Sequence, residues 1–97
     1  MQPIRKNGNY EGGRRGTLDI VAEILEEAKT GSGKTRIMVR ANLSYSQLQR
    51  YLTGLVRAGL LATEKNKRDF VLYKTTDRGK VFLSSYSEIQ QFLIPES

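Results

Sequence analysis

The sequence predicts a mainly α-helical domain with one small β-hairpin, in the order helix, helix, helix, strand, strand, helix. Three observations carry this. The chain has 97 residues, enough for one hydrophobic core and too few for a second. Apolar residues recur at helical spacing in four stretches set apart by glycine or by capping residues. Two short runs rich in β-branched, aromatic and aliphatic residues flank a wholly polar loop.

Residues 1–16 hold Gly8, Gly12, Gly13 and Gly16 among polar residues, with Arg5, Lys6, Arg14 and Arg15 against Glu11, and read as a flexible basic arm before a domain spanning 17–94. Thr17 is placed to cap the first helix, whose stripe is Leu18, Val21, Ile24, Leu25 and Ala28 and whose end is marked by Gly31 and Gly33. Asp19, Glu23, Glu26 and Glu27 lie outside that stripe and give the helix an acidic outer face, expected to point away from any polyanion. Lys34 to Ala41 reads as a short second helix with Ile37, Met38 and Ala41 inward, followed by a tight Asn42–Leu43 connection. Ser44 caps a third helix that buries Leu48, Leu52 and Leu55, helped by Tyr51 and Val56, and stops at Gly59.

Two helices joined by so short a turn form a helix-turn-helix. Leu60 to Thr63 and Phe70 to Thr75 read as the two strands, and the loop Glu64, Lys65, Asn66, Lys67, Arg68, Asp69 between them is then the wing of a winged helix. Thr76 caps a last helix that runs from about Arg78 until Pro95 forbids continuation.

Sixteen Lys and Arg against ten Asp and Glu give a net charge of +6 and an isoelectric point near 9.8, an attractive field for polyanions on so small a surface. The chain has no cysteine and no histidine, which removes disulfides, ordinary zinc sites, thiol nucleophiles and the commonest general base. A non-catalytic role without a metal or other cofactor is expected. No apolar run reaches the length of a membrane span and the N-terminus lacks the hydrophobic centre of a signal peptide, so no membrane partner and a cytoplasmic, nucleoid-associated location are expected.

Three segments then resemble a known group, the small archaeal winged helix-turn-helix DNA-binding proteins, some of which are dimeric chromatin-associated proteins with a C-terminal coiled-coil helix. They are Lys34, Thr35, Arg36, Ile37, Met38 with Ala41, Asn42, Leu43, Ser44; then Tyr51, Leu52, Leu55 with Gly59, Leu60; then Tyr73, Lys74, Thr75, Thr76, Asp77, Arg78, Gly79. The resemblance runs from about Gly16 to Leu93 and implies double-stranded DNA as partner. The last helix is shorter here than in the chromatin-type members.

Charge placement agrees with that expectation. From Lys34 to Arg57 the charged residues are Lys34, Arg36, Arg40, Arg50 and Arg57, with no Asp or Glu, and a phosphate-facing surface needs this segregation. On the third helix Tyr45, Ser46, Gln49, Arg50, Thr53 and Arg57 lie outside the buried stripe with Gln47 at its flank. Arg and Gln can each bond a base edge twice, whereas Ser, Thr and Tyr more often hold phosphates. Lys34, Thr35 and Ser44 complete the helix-turn-helix contribution, and Lys65, Lys67 and Arg68 at the wing tip are placed to meet the backbone or the minor groove, with Glu64 and Asp69 set back at its base.

Residues 28–35, AKTGSGKT, resemble the phosphate-binding loop of nucleotide triphosphatases, but Ala28 stands where that loop has glycine and a helix precedes it instead of a buried strand. The segment reads instead as an interhelical turn, and no nucleotide cofactor is expected. In the last helix Phe82, Tyr86, Ile89 and Leu93, widened by Leu83 and Phe92, exceed what one small core needs. Tyr86, Ile89, Phe92 and Leu93 are therefore expected to join two copies in a homodimer. The function expected is duplex DNA binding, as a transcriptional regulator or a chromatin-associated protein; the alternatives are a winged helix that binds RNA or protein, and a small nucleotide-hydrolysing enzyme.

Overall fold

The computed structural model describes residues 15–93, and the arm proposed for the N-terminus falls, up to residue 14, outside them. The order of elements is the expected one: α1 (Thr17–Glu27), α2 (Lys34–Ala41), α3 (Tyr45–Arg57), β1 (Leu61–Lys65), β2 (Val71–Thr75) and α4 (Asp77–Leu93). Arg15 and Gly16, assigned to the arm on sequence, are tied to the domain. Arg15 pairs with Glu23 and reaches the Asn42 carbonyl at 3.4 Å.

α1 begins one residue earlier than expected. Gly16 is its N-cap, and its N–H donates to the Asp19 carboxylate at 2.9 Å, so Thr17 is the first helical residue instead of the cap. The buried face is Val21, Ala22, Ile24, Leu25 and Ala28. Leu18 shares the direction of this stripe, but in the first turn it lies beyond the core's edge and stays 59% exposed.

α2 ends where Asn42 turns left-handed at φ 55°, a conformation asparagine tolerates better than most residues. α3 opens on a reciprocal cap: the Gln47 N–H donates to Ser44 Oγ at 3.2 Å and the Ser44 N–H to Gln47 Oε1 at 2.9 Å. It closes on Gly59 at φ 80°, whose N–H reaches the Val56 carbonyl while the Leu60 N–H reaches that of Leu55.

β1 and β2 pair antiparallel, Leu61 opposite Thr75 and Lys65 opposite Val71. The first strand therefore runs two residues past Thr63, into what reads in sequence as loop, because the ladder hydrogen bonds continue whatever the propensities of Glu64 and Lys65. Ser32 adds a rung on the other side of β2: its N–H donates to the Tyr73 carbonyl at 2.9 Å and the Tyr73 N–H returns to Ser32 at 2.8 Å. The core lies where these elements meet, with Ile24, Leu25, Ile37, Leu48 and Leu61 completely enclosed and Leu83 of α4 closing one side.

Candidate nucleic-acid interface

α3 buries Leu48, Leu52 and Leu55, so at 100° per residue its opposite face carries Ser46, Arg50, Thr53, Gly54 and Arg57, all exposed. Arg50 and Arg57 have no carboxylate within salt-bridge distance among the described residues. Gln49 is half-buried at the flank of this face. Ser44 and Gln47, read in sequence as DNA contacts, are exposed but spend hydrogen-bonding groups on the start of α3. Tyr45 stands 60% exposed at the first turn, and the Lys34 ammonium lies 5.7 Å from its ring centroid, which sets the beginnings of α2 and α3 side by side.

On α2, Thr35 and Arg36 are exposed, and Arg36 pairs with Glu27 at 3.3 Å. Glu27 is itself largely covered and accepts the Ser32 hydroxyl at 3.2 Å. The acidic face expected on α1 is thus largely neutralised pair by pair: Glu23 with Arg15, Glu26 with Lys29, Glu27 with Arg36, and Asp19 with the Gly16 N–H and the Tyr86 hydroxyl. Arg40, one of the basic residues of the acid-free segment, is exposed one turn beyond Arg36.

The wing turns over the five residues Asn66 to Phe70 between the strands, with Lys67, Arg68 and Asp69 at its tip, and is held by Asn66. Asn66 Oδ1 accepts the N–H groups of Arg68 at 2.9 Å and Phe70 at 3.0 Å, the Asp69 N–H donates to the Asn66 carbonyl, and Asp69 takes φ 70°. This corrects the expected division of charge. Asp69 belongs to the tip, not the base, and pairs with Lys65 at 3.4 Å, leaving Lys67 and Arg68 as the tip cations without a carboxylate partner among the described residues. Phe70, read in sequence as part of the second strand, stands 61% exposed beside them.

The AKTGSGKT segment leaves α1 at the buried Ala28, turns at Gly31 (φ 98°), bridges β2 through Ser32 and caps α2 with Gly33. It follows a helix, as its sequence context indicates, and its serine hydroxyl is engaged with Glu27. On α4, Tyr86 packs half-buried against the core and donates its hydroxyl to Asp19. Burial, and then the bond to Asp19, pushes that phenol above its ordinary range. Ile89 and Phe92 remain 52% and 88% exposed, and α4 continues to Leu93, the last described residue.

A short helix, a turn and a second helix backed by a charged hairpin define a winged helix. The chain belongs to the winged helix-turn-helix family, whose profile matches residues 14–93. It is 35% identical over 81 residues to an uncharacterized protein of Methanocaldococcus jannaschii, covering 82% of this chain and 78% of that one. Among solved structures it is similar to Sso10a-2, a DNA-binding protein from Sulfolobus solfataricus, with 31% identity and a TM-score of 0.72 over 80% of this chain and 81% of that one. The transcriptional regulator PcaV of Streptomyces coelicolor, 23% identical with a TM-score of 0.61 over 79% of this chain and 61% of its own, shares the fold. Among the described residues no helix is long and apolar enough to cross a membrane.

Proposed function

We propose that this protein binds double-stranded DNA without catalysis and without a nucleotide or other cofactor, laying α3 in the major groove and the hairpin along the neighbouring backbone. One observation carries the reading: the outward face of α3 presents Arg50 and Arg57 without acidic partners, in a helix-turn-helix that contains no Asp or Glu from Lys34 to Arg57. The likeness to Sso10a-2, described as a DNA-binding protein, supports it. The setting is a transcriptional regulator or a chromatin-associated protein in the cytoplasm, acting as a homodimer through α4.

Titration of a labelled mixed-sequence duplex with Arg50→Ala tests the assignment of α3. Binding is expected to weaken by about 1–3 kcal/mol. An equal loss on every sequence assigns Arg50 to phosphate, and a sequence-dependent loss assigns it to a base. Unchanged affinity in a folded variant removes α3 as the recognition helix.

The wing has its own readout. Replacing Lys65, Lys67 and Arg68 by alanine is expected to reduce the slope of log affinity against log salt by about 2, since each phosphate contact contributes roughly 0.9 and Lys65 is shared with Asp69. Sequence preference should be nearly untouched. A slope equal to that of the wild type means that the hairpin stays off the DNA.

A further inference from the structure

Gly54 lies in the interior of α3, where glycine is among the poorest helix formers. Nothing among the described residues asks for it there. Its carbonyl accepts the Ala58 N–H at 2.9 Å as in any regular helix, its φ is not positive, and a Cβ built on it would meet no atom of the described residues within 4 Å. The contrast with two other glycines is direct. Gly59 is required by a φ of 80°, and Gly79 by the Leu60 carbonyl oxygen 2.5 Å from where a Cβ would stand.

The space over Gly54 faces outward between Arg50, one turn before it, and Arg57, one turn after it. Both guanidiniums lack carboxylate partners among the described residues. A bare stretch of helix backbone between two such cations suits a strand of negative charge that must come closer than a side chain would permit. An apolar protein partner would instead be met by uncompensated charge on both sides.

We infer that Gly54 is the close-approach point of the interface, where one sugar–phosphate strand of the duplex rests against the backbone of α3 and is held by Arg50 and Arg57 on either side. This rests on the DNA-binding reading and adds to it a steric requirement: the depth of α3 in the groove is set by the missing Cβ at position 54.

The test uses the full chain with Gly54→Ala and Gly54→Leu, measuring unfolding by urea and affinity for a mixed-sequence duplex. Gly54→Ala should unfold at higher urea, because alanine favours the helix and its methyl enters open space. It should nevertheless bind DNA about tenfold or more weakly on every sequence, and Gly54→Leu more weakly still. A variant that is more stable and yet binds worse has not lost function by misfolding. Wild-type affinity in Gly54→Ala overturns the inference alone, with the DNA-binding reading intact. A lower urea midpoint for Gly54→Ala also overturns it, since the glycine would then serve the protein's own packing. A wild-type protein that fails to bind the duplex overturns both.

Discussion

Gly79→Ala is expected to destabilise the protein by about 3 kcal/mol, although alanine is the better helix residue by roughly 1 kcal/mol. The added Cβ would stand 2.5 Å from the Leu60 carbonyl oxygen and 2.6 Å from Thr75 Cγ2, and a backbone oxygen cannot step aside as the end of a long side chain can. The collision falls on the joint that orients the hairpin. Here the Thr76 N–H donates to the Leu60 carbonyl at 3.1 Å, the Thr76 hydroxyl donates to the Gly59 carbonyl at 2.6 Å, and Thr76 Oγ1 accepts the Gly79 N–H at 3.1 Å. One residue earlier, the buried Thr75 donates its hydroxyl to the Leu25 carbonyl at 2.6 Å and its N–H to that of Ala28 at 2.9 Å. Moving the first turn of α4 away from Leu60 strains all of these bonds together. For a domain of this size the loss corresponds to a fall of roughly 15 °C in melting temperature. Calorimetry decides the matter, and a melting temperature equal to or above that of the wild type would show that the joint yields cheaply. Gly54→Ala, the same chemical change in another helix, should shift stability the other way.

How much of this was legible in sequence depends on how local each cause is. The sequence places α2 from Lys34 to Ala41, as the structure does, because a glycine before it and an asparagine able to turn left-handed after it act within one or two residues. Ser44 is legible as a cap for the same reason, yet its partner Gln47 reads as a DNA contact, since a glutamine three residues into a helix fits either role until the hydrogen bonds are seen. The bridge from Ser32 to Tyr73 was not legible at all. It joins segments 41 positions apart, and a single polar residue between glycines carries no strand signal.

Charge shows the same division. The acid-free stretch from Lys34 to Arg57 is a property of sequence, and α3 turns Arg50 and Arg57 outward as the spacing predicts. Which cations are already neutralised is a property of tertiary structure. Arg36 and Lys65 look equivalent to Arg50 and Lys67 in composition, but the first faces Glu27 and the second faces Asp69. Lys65 and Asp69 are both exposed and hold each other weakly, whereas Arg36 is exposed but its partner Glu27 is largely covered; each cation must exchange a carboxylate for a phosphate to make a contact that Arg50 or Lys67 makes directly. Arg36 and Lys65 should therefore contribute less to affinity than their neighbours.

Ile89→Asp combined with Phe92→Asp is expected to convert a homodimer into a folded monomer and to weaken duplex binding by about 100-fold or more, because two linked recognition helices gain affinity by effective concentration. From Ser87 to Phe92 every residue of α4 is exposed, and isolated helical turns of that length are marginal in water unless something packs against them. Val81, Ser85, Ile89 and Phe92 follow one another at steps of four, four and three, and the three apolar members are 65%, 52% and 88% exposed. A second copy meeting this stripe across a two-fold axis would cover it. Tyr86, grouped with these residues on sequence, is committed to Asp19 within its own chain and contributes at most an edge. The stripe is smaller than the roughly 800 Å² per partner of a stable interface, so the contact must also take in the domain body, where Leu18 on α1 is one exposed apolar side chain. The substituted residues are largely exposed, so the fold should lose little in the variant. Two-fold symmetry would present the two α3 helices to successive major grooves, with half-sites roughly 34 Å apart or a multiple of that. Sedimentation equilibrium at micromolar concentration should give the wild type twice the 11.0 kDa of one chain and the variant 11.0 kDa. A wild-type mass of 11.0 kDa would leave the apolar stripe for another purpose while leaving α3 and the hairpin free to bind DNA as a single unit.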